Sequence, residues 1–172
     1  ESSAAREPSA TLHGAYRDAL FSGVPLYTTR LVRERTFAFP TRDQVRSPSD
    51  VAAVLAAYFA DRDREEFVVA FLDTANTLTG LHVASVGGLA ASIVEPRQVF
   101  KAAVLANAAA VILAHNHPSG NPEPSREDVA ITRQLVEAGK VMSIPVHDHL
   151  ILTGQRPGES PTYTSLAERG LL

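Results

Sequence analysis

The sequence contains no cysteine among its 172 residues. Disulfides, thiolate catalysis, Cys-type zinc ribbons and iron–sulfur clusters are therefore excluded, and any transition metal must be held by His, Asp or Glu. Tryptophan is absent and aromatics amount to 6%. Alanine occupies 26 positions, so the core is expected to rest on closely packed helices and strands rather than on aromatic clusters. Positive charge is not in excess: 16 Lys+Arg face 19 Asp+Glu, a net charge of −3. That argues against a sequence-independent DNA binder, which needs a basic surface to displace counterions, although a local basic patch remains compatible. The most apolar run, Ala102 to Ala114, is broken by Asn107 and is too short to span a bilayer. The N-terminus shows no basic segment followed by an apolar one, so no signal peptide is visible. The chain opens on Glu1 rather than Met. A cytoplasmic protein without a membrane partner is the expectation. No internal repeat and no Gly-rich phosphate loop is present; Gly87-Gly88 is an isolated pair that reads as a turn or bulge.

The length fits one domain plus an arm. Residues 1–44 form the expected arm, opening on small and polar residues, with an amphipathic patch at Tyr16 to Phe21 and a strand-like Tyr27 to Val32. Residues 45–172 form the expected domain. Ser47 or Ser49 caps a helix whose apolar positions Val51, Val54, Leu55, Tyr58 and Phe59 follow helical spacing. Phe67 to Leu72 reads as a buried strand and Thr77 to Val86 as a second. Pro96 opens a helix running to about Asn107, and Ala109 to Ala114 is another buried strand. Ser125 to Gly139 reads as a helix with Gly139 at its C-terminus, and Ile144 to Leu152 as a last strand. The order predicts a mixed α/β sandwich.

The strongest chemical signal follows the strand at Ala109 to Ala114: His115-Asn116-His117-Pro118, then Ser125-Arg126-Glu127-Asp128. Residues two apart on an extended segment point the same way, so His115 and His117 can offer two imidazoles to one point. Asp128, in the first turn of the next helix, can be folded back to that point by the Pro-rich loop. Two His and one carboxylate form a catalytic zinc set with a fourth position for water. The same Ser125-x-x-Asp128 also matches a capping box in which Asp128 only caps the helix.

At these residues the sequence resembles a known family. His115-x-His117-Pro118…Ser125-x-x-Asp128 resembles the JAMM signature of JAB/MPN metalloproteases. The longer stretch ILAHNHPSGNPEPSREDVAITRQLVEAGK resembles the bacterial RadC family, often labelled as DNA-repair proteins. The likeness extends to Phe71-Leu72-Asp73, Pro96-Arg97, Leu105 to Ala109, Asp148-His149 and Ala167 to Gly170, and so covers about residues 45 to 172. It implies the JAB/MPN (cytidine-deaminase-like) α/β sandwich. The chain departs from the family in two places. No helix–hairpin–helix pair is visible in residues 1 to 40, so that domain is either missing from this form or removed. The family's VHPRE segment reads Val94-Glu95-Pro96-Arg97-Gln98.

The resemblance implies one Zn²⁺ per chain on His115, His117 and Asp128, and a glutamate base near the start of an upstream strand. Motif alignment points to Glu65, with the adjacent Glu66 as its rival; on a strand only one of them can face the metal. Glu65 would take a proton from the zinc-activated water and deliver it to the leaving amine. The Ser125 hydroxyl would hydrogen-bond the oxyanion. The reaction would be peptide or isopeptide hydrolysis, with a peptide or protein as substrate. The second H-x-H, His147-Asp148-His149, lacks a downstream S-x-x-D. It is expected to be structural, with Asp148 or His149 hydrogen-bonding within the sheet or behind a ligand. His13 and His82 are single residues without partners. Two competing readings are a DNA-repair or mobile-element protein with a structural or vestigial metal site, and a non-catalytic interaction scaffold. DNA association finds no support in the net charge, and a homodimer is an open expectation.

Overall fold

The computed structural model describes residues 27–34, 44–87, 94–153 and 161–172. The expected patch at Tyr16 to Phe21 and most of the arm lie outside them. Tyr27 to Val32, read as strand-like from its β-branched and aromatic content, has no regular secondary structure and is exposed. Strand propensity needs a partner to pair with, and none is present among the described residues.

Every regular element belongs to one compact unit, residues 31–172. Helix α1 (Pro48–Phe59) starts at the N-cap Ser47, with Pro48 in the first turn. The Asp50 carboxylate accepts from the backbone N–H of Arg46 and of Ser47, both at 2.9 Å. Strands β1 (Glu66–Leu72) and β2 (Leu78–Val86) form an antiparallel pair. Helix α2 (Pro96–Leu105) leads into β3 (Ala110–His117), then α3 (Arg126–Met142), β4 (Val146–Thr153) and a short β5 (Tyr163–Ser165). The three-residue β5 is too brief to carry a readable period and was not anticipated from the sequence.

The sheet order is β2-β1-β3-β4-β5, with β3 and β4 parallel and the other pairs antiparallel. A parallel pair needs a crossover, and α3 supplies it. The mixed α/β sandwich expected from the sequence is thus what forms. Alternate residues of β1 and β3 feed two cores. Val68, Ala70, Leu72, Ala110, Ile112 and Ala114 pack with Val51, Leu55 and Phe59 of α1. Phe67, Val69, Phe71, Val111 and Leu113 pack with Val99 and Phe100 of α2 and Leu135 of α3. Both faces of β1 are buried, which is why its sequence runs apolar without alternation.

Two boundaries differ from the sequence reading by three residues, the others by one or two. Strand β3 continues through His117 rather than stopping at Ala114. Helix α3 passes Gly139 and ends at Ser143, whose φ of 57° makes it the left-handed cap. Gly139 is needed for a different reason: a Cβ there would stand 2.6 Å from the Ile144 carbonyl oxygen and 3.2 Å from the Phe100 ring. No described helix is long and apolar enough to cross a membrane.

Candidate metal centre

The pleat of β3 directs His115 and His117 to the α3 side of the sheet. Their Nε2 atoms lie 3.0 Å apart. The loop after His117 turns at Gly120, where φ is 80°, and returns the chain to α3. There Asp128 serves two purposes at once. As the capping-box residue it accepts from Ser125 N–H at 2.7 Å, while Ser125 Oγ accepts from Asp128 N–H at 3.0 Å. The same carboxylate places Oδ1 3.4 Å from His115 Nε2 and Oδ2 3.7 Å from His117 Nε2. Capping and clustering are therefore joint properties of Asp128 rather than alternatives.

Glu65, immediately before β1, completes a group of four: one donor atom from each of Glu65, His115, His117 and Asp128 lies within 4.8 Å of the others. Glu66 faces the other way. Its carboxylate accepts from Tyr58 Oη–H at 2.6 Å and lies 3.6 Å from Arg62 Nε, on the α1 side of the sheet.

The hydrogen bonds behind the histidines fix their tautomers. Thr132 Oγ1 donates to the Asp128 carbonyl at 2.5 Å. Its contact with His149 Nδ1, also 2.5 Å, must then carry the imidazole proton. His149 is fully buried, and burial followed by the neighbouring His115 pushes its pKa well below the ordinary value, so it is neutral. Its Nε2 is therefore an acceptor, and the 2.8 Å contact with His115 Nδ1 is a donation from His115. His117 Nδ1 lies 2.7 Å from the Asn121 carbonyl, which only accepts, so His117 donates there. On each ring the Nδ1 proton is engaged, and Nε2 faces the other ring and the Asp128 carboxylate.

Two imidazole nitrogens and a carboxylate facing one another suit a cation. Zinc–ligand bonds of 2.0–2.2 Å imply tetrahedral donor separations of about 3.4 Å; the imidazoles are 3.0 Å apart, and each lies 3.4 or 3.7 Å from an Asp128 oxygen, Oδ1 for His115 and Oδ2 for His117. The residues present fit a metal ion. Burial opposes ionisation of Asp128, but the interactions with His115 and the Ser125 bonds outweigh it, holding the carboxyl well below the usual carboxylate range. Phe67 closes one wall, its ring stacked on His115 at 6.2 Å and edge-on to His149 at 5.3 Å.

The second H-x-H does not behave as a simple strand pair. Val111 pairs with Val146 and Ile112 with Asp148, so His147 is an extra, bulged residue. His147 is exposed and His149 is buried. The two therefore sit in different environments, His147 in solvent at the bulge and His149 inside the core. Asp148 accepts from Ser165 Oγ–H at 2.6 Å and from Ala167 N–H at 3.0 Å, which secures the chain after β5. Thr132 and the Asn121 carbonyl had no sequence signal of their own. His82 stacks on Phe71 away from the group, and His13 lies outside the described residues. Glu95, in the segment that departs from the VHPRE pattern, is the N-cap residue of α2 and pairs with Arg97. The loop between His117 and Asp128 is tied to the segment after β5 by a two-pronged ion pair: Arg169 donates to Glu123 at 2.6 and 2.9 Å.

Comparison with known proteins agrees with this geometry. A family model described as the RadC-like JAB domain matches residues 45–171. A UPF0758 protein of Salinibacter ruber is 57% identical over 131 residues, 76% of this chain and 54% of the relative. A UPF0758 protein of Moorella thermoacetica is 48% identical over 132 residues, 77% of this chain and 55% of the relative. One of Methanosarcina acetivorans is 42% identical over 140 residues, 81% and 58% respectively. The chain spans about half the length of the curated relatives it matches.

Proposed function

The chain belongs to the family of RadC-like JAB domains, and from that premise we propose that it is a zinc-dependent hydrolase of the JAMM type, cleaving peptide or isopeptide bonds. The observation that carries the reading is the convergence of two imidazole nitrogens on a buried carboxylate, with a second acidic residue beside them. His115, His117 and Asp128 would hold the ion. Bound zinc supplies Lewis acidity, acidifying water and polarising a carbonyl.

The remaining chemistry belongs to side chains. Glu65 accepts a proton from the attacking water as its oxygen bonds to the scissile carbonyl carbon, then returns that proton to the amine nitrogen as the C–N bond breaks. Ser125 Oγ is an acceptor in its bond to Asp128 N–H, and a hydroxyl in that role keeps its own proton to donate. It donates to the developing oxyanion. Removing one such donor typically costs about 10²–10³ in kcat. Phe67 excludes water from the inner side of His115 and His149.

The test is cleavage of a library of peptides and Lys-linked isopeptides by zinc-loaded protein, read by mass spectrometry. Glu65→Gln keeps the size of the side chain and removes the base. It should retain zinc and lose roughly 10²-fold or more in rate. Equal rates for both proteins, with loss in Glu66→Gln, would move the base by one residue. No cleavage by fully loaded wild-type protein across the library would overturn the reading.

A further inference from the structure

Asn116 stands between the two histidines but points to the other side of β3, and it is 4% exposed. Both ends of its carboxamide are engaged with the segment that carries Glu65. Nδ2 donates to the Arg64 carbonyl at 2.9 Å, and Oδ1 accepts from Glu66 N–H at 2.7 Å. The β1–β3 ladder ends at the Phe67–His115 pair, so these two peptide groups lie beyond it. The Asn116 side chain supplies the donor and the acceptor that a further rung would have supplied. The carbonyl of Glu65 itself accepts from Gly87 N–H at 2.8 Å. Both peptide groups that flank Glu65 are thus held.

A base must stay within hydrogen-bond reach of the proton it takes. A glutamate just outside a strand, paired on the β2 side but past the end of the β1–β3 ladder, would lose that reach through backbone fraying. We infer that Asn116 is the positioning residue for Glu65, holding the segment Arg64–Glu66 at a fixed distance from the strand that carries His115 and His117. This rests on the reading of Glu65 as the base. The requirement is for a carboxamide at this length. Aspartate has no donor for the Arg64 carbonyl and would bring a second carboxylate toward buried Glu66. Alanine leaves the Arg64 carbonyl and the Glu66 N–H without their side-chain partner. Asn116 touches none of the four grouped donors; its effect passes through the backbone.

The experiment compares wild type, Asn116→Ala, Glu65→Gln and the double variant. Asn116→Ala should still take up one zinc per chain, because its three ligands are unaltered. Hydrogen exchange at the Glu66 amide should accelerate roughly tenfold or more as that bond is lost. Cleavage should fall in kcat with KM unchanged, and the double variant should be no slower than Glu65→Gln alone, since two residues acting as a unit are not additive. Additive losses, or a change confined to KM, would overturn the inference. If wild-type protein cleaves nothing, the functional reading falls separately, and mobility of the Glu65 side chain in metal-free protein decides. Relaxation of its methylene carbons should loosen in Asn116→Ala, and unchanged mobility would overturn the inference. If Asn116→Ala does not fold, Asn116→Asp, which keeps the acceptor for Glu66 N–H, carries the same readouts.

Discussion

The imidazole of His149 lies directly behind that of His115, Nε2 to Nδ1 at 2.8 Å, and both rings are fully buried. A neutral histidine thus takes the place that a carboxylate or carbonyl more often fills behind a metal ligand. The tautomer of His115 depends on that partner. His149→Phe should preserve the ring's shape, strand the His115 Nδ1 proton and weaken zinc binding by about 10–100-fold. Competition with a chromophoric chelator measures this, and unchanged affinity would mean that the tautomer is set elsewhere.

His149 also gives the metal-free protein a pH dependence. Its folded-state pKa is depressed by burial, so below the ordinary value of 6.5 the unfolded chain binds a proton that the folded chain does not. Stability is therefore complete above pH 6.5 and falls as the pH drops, by up to about 1.4 kcal/mol per pH unit for one proton. Urea unfolding between pH 7.5 and 5 in the presence of a chelator should show this slope, and His149→Gln should flatten it.

Asp128 and Ser125 separate capping from metal binding. Asp128→Ala should lose zinc and destabilise the chain together, because the carboxylate caps α3 and faces both imidazoles. Ser125→Ala should keep zinc and lose about 1 kcal/mol from the cap. Elemental analysis alongside thermal unfolding distinguishes the two patterns; zinc retained in Asp128→Ala would remove that residue from the ligand set.

Zinc stoichiometry tests which H-x-H binds. Protein purified without chelator should carry about one zinc per chain, His117→Ala should carry none, and His147→Ala should remain loaded. The reverse pattern would assign the site to the wrong pair.

The spacing of the grouped residues was legible because strand and helix periodicity carry it: two histidines two apart on β3 and an aspartate at the third position of α3. The choice between Glu65 and Glu66 was not legible from alternation, since neighbouring strand residues differ only in which core they face. Tyr58 and Arg62 engage Glu66 on the α1 side, and Glu65 is the one grouped with the two histidines and Asp128. Gly139 read as a helix terminator because glycine favours left-handed caps, whereas the constraint on it is the approach of Ile144 and Phe100. A close contact between distant segments leaves no local pattern. The tautomer-setting contacts at Thr132 and Asn121 were hidden for the same reason.

The bulge at His147 sets one residue of β4 outside the pairing with β3. With it, His149 aligns with Leu113 and Asp148 with Ile112. Removing that one residue would leave Val146 and Asp148 consecutive opposite Val111 and Ile112, a regular ladder that keeps His149 on its present side. The position should therefore accept many different side chains, because His147 itself is solvent-facing, and accept its own loss as well. Between Asp148 and Thr153 the pairing has no spare residue, and a deletion there would exchange the two sides, so a deletion scan of β4 would find its one point of slack at His147.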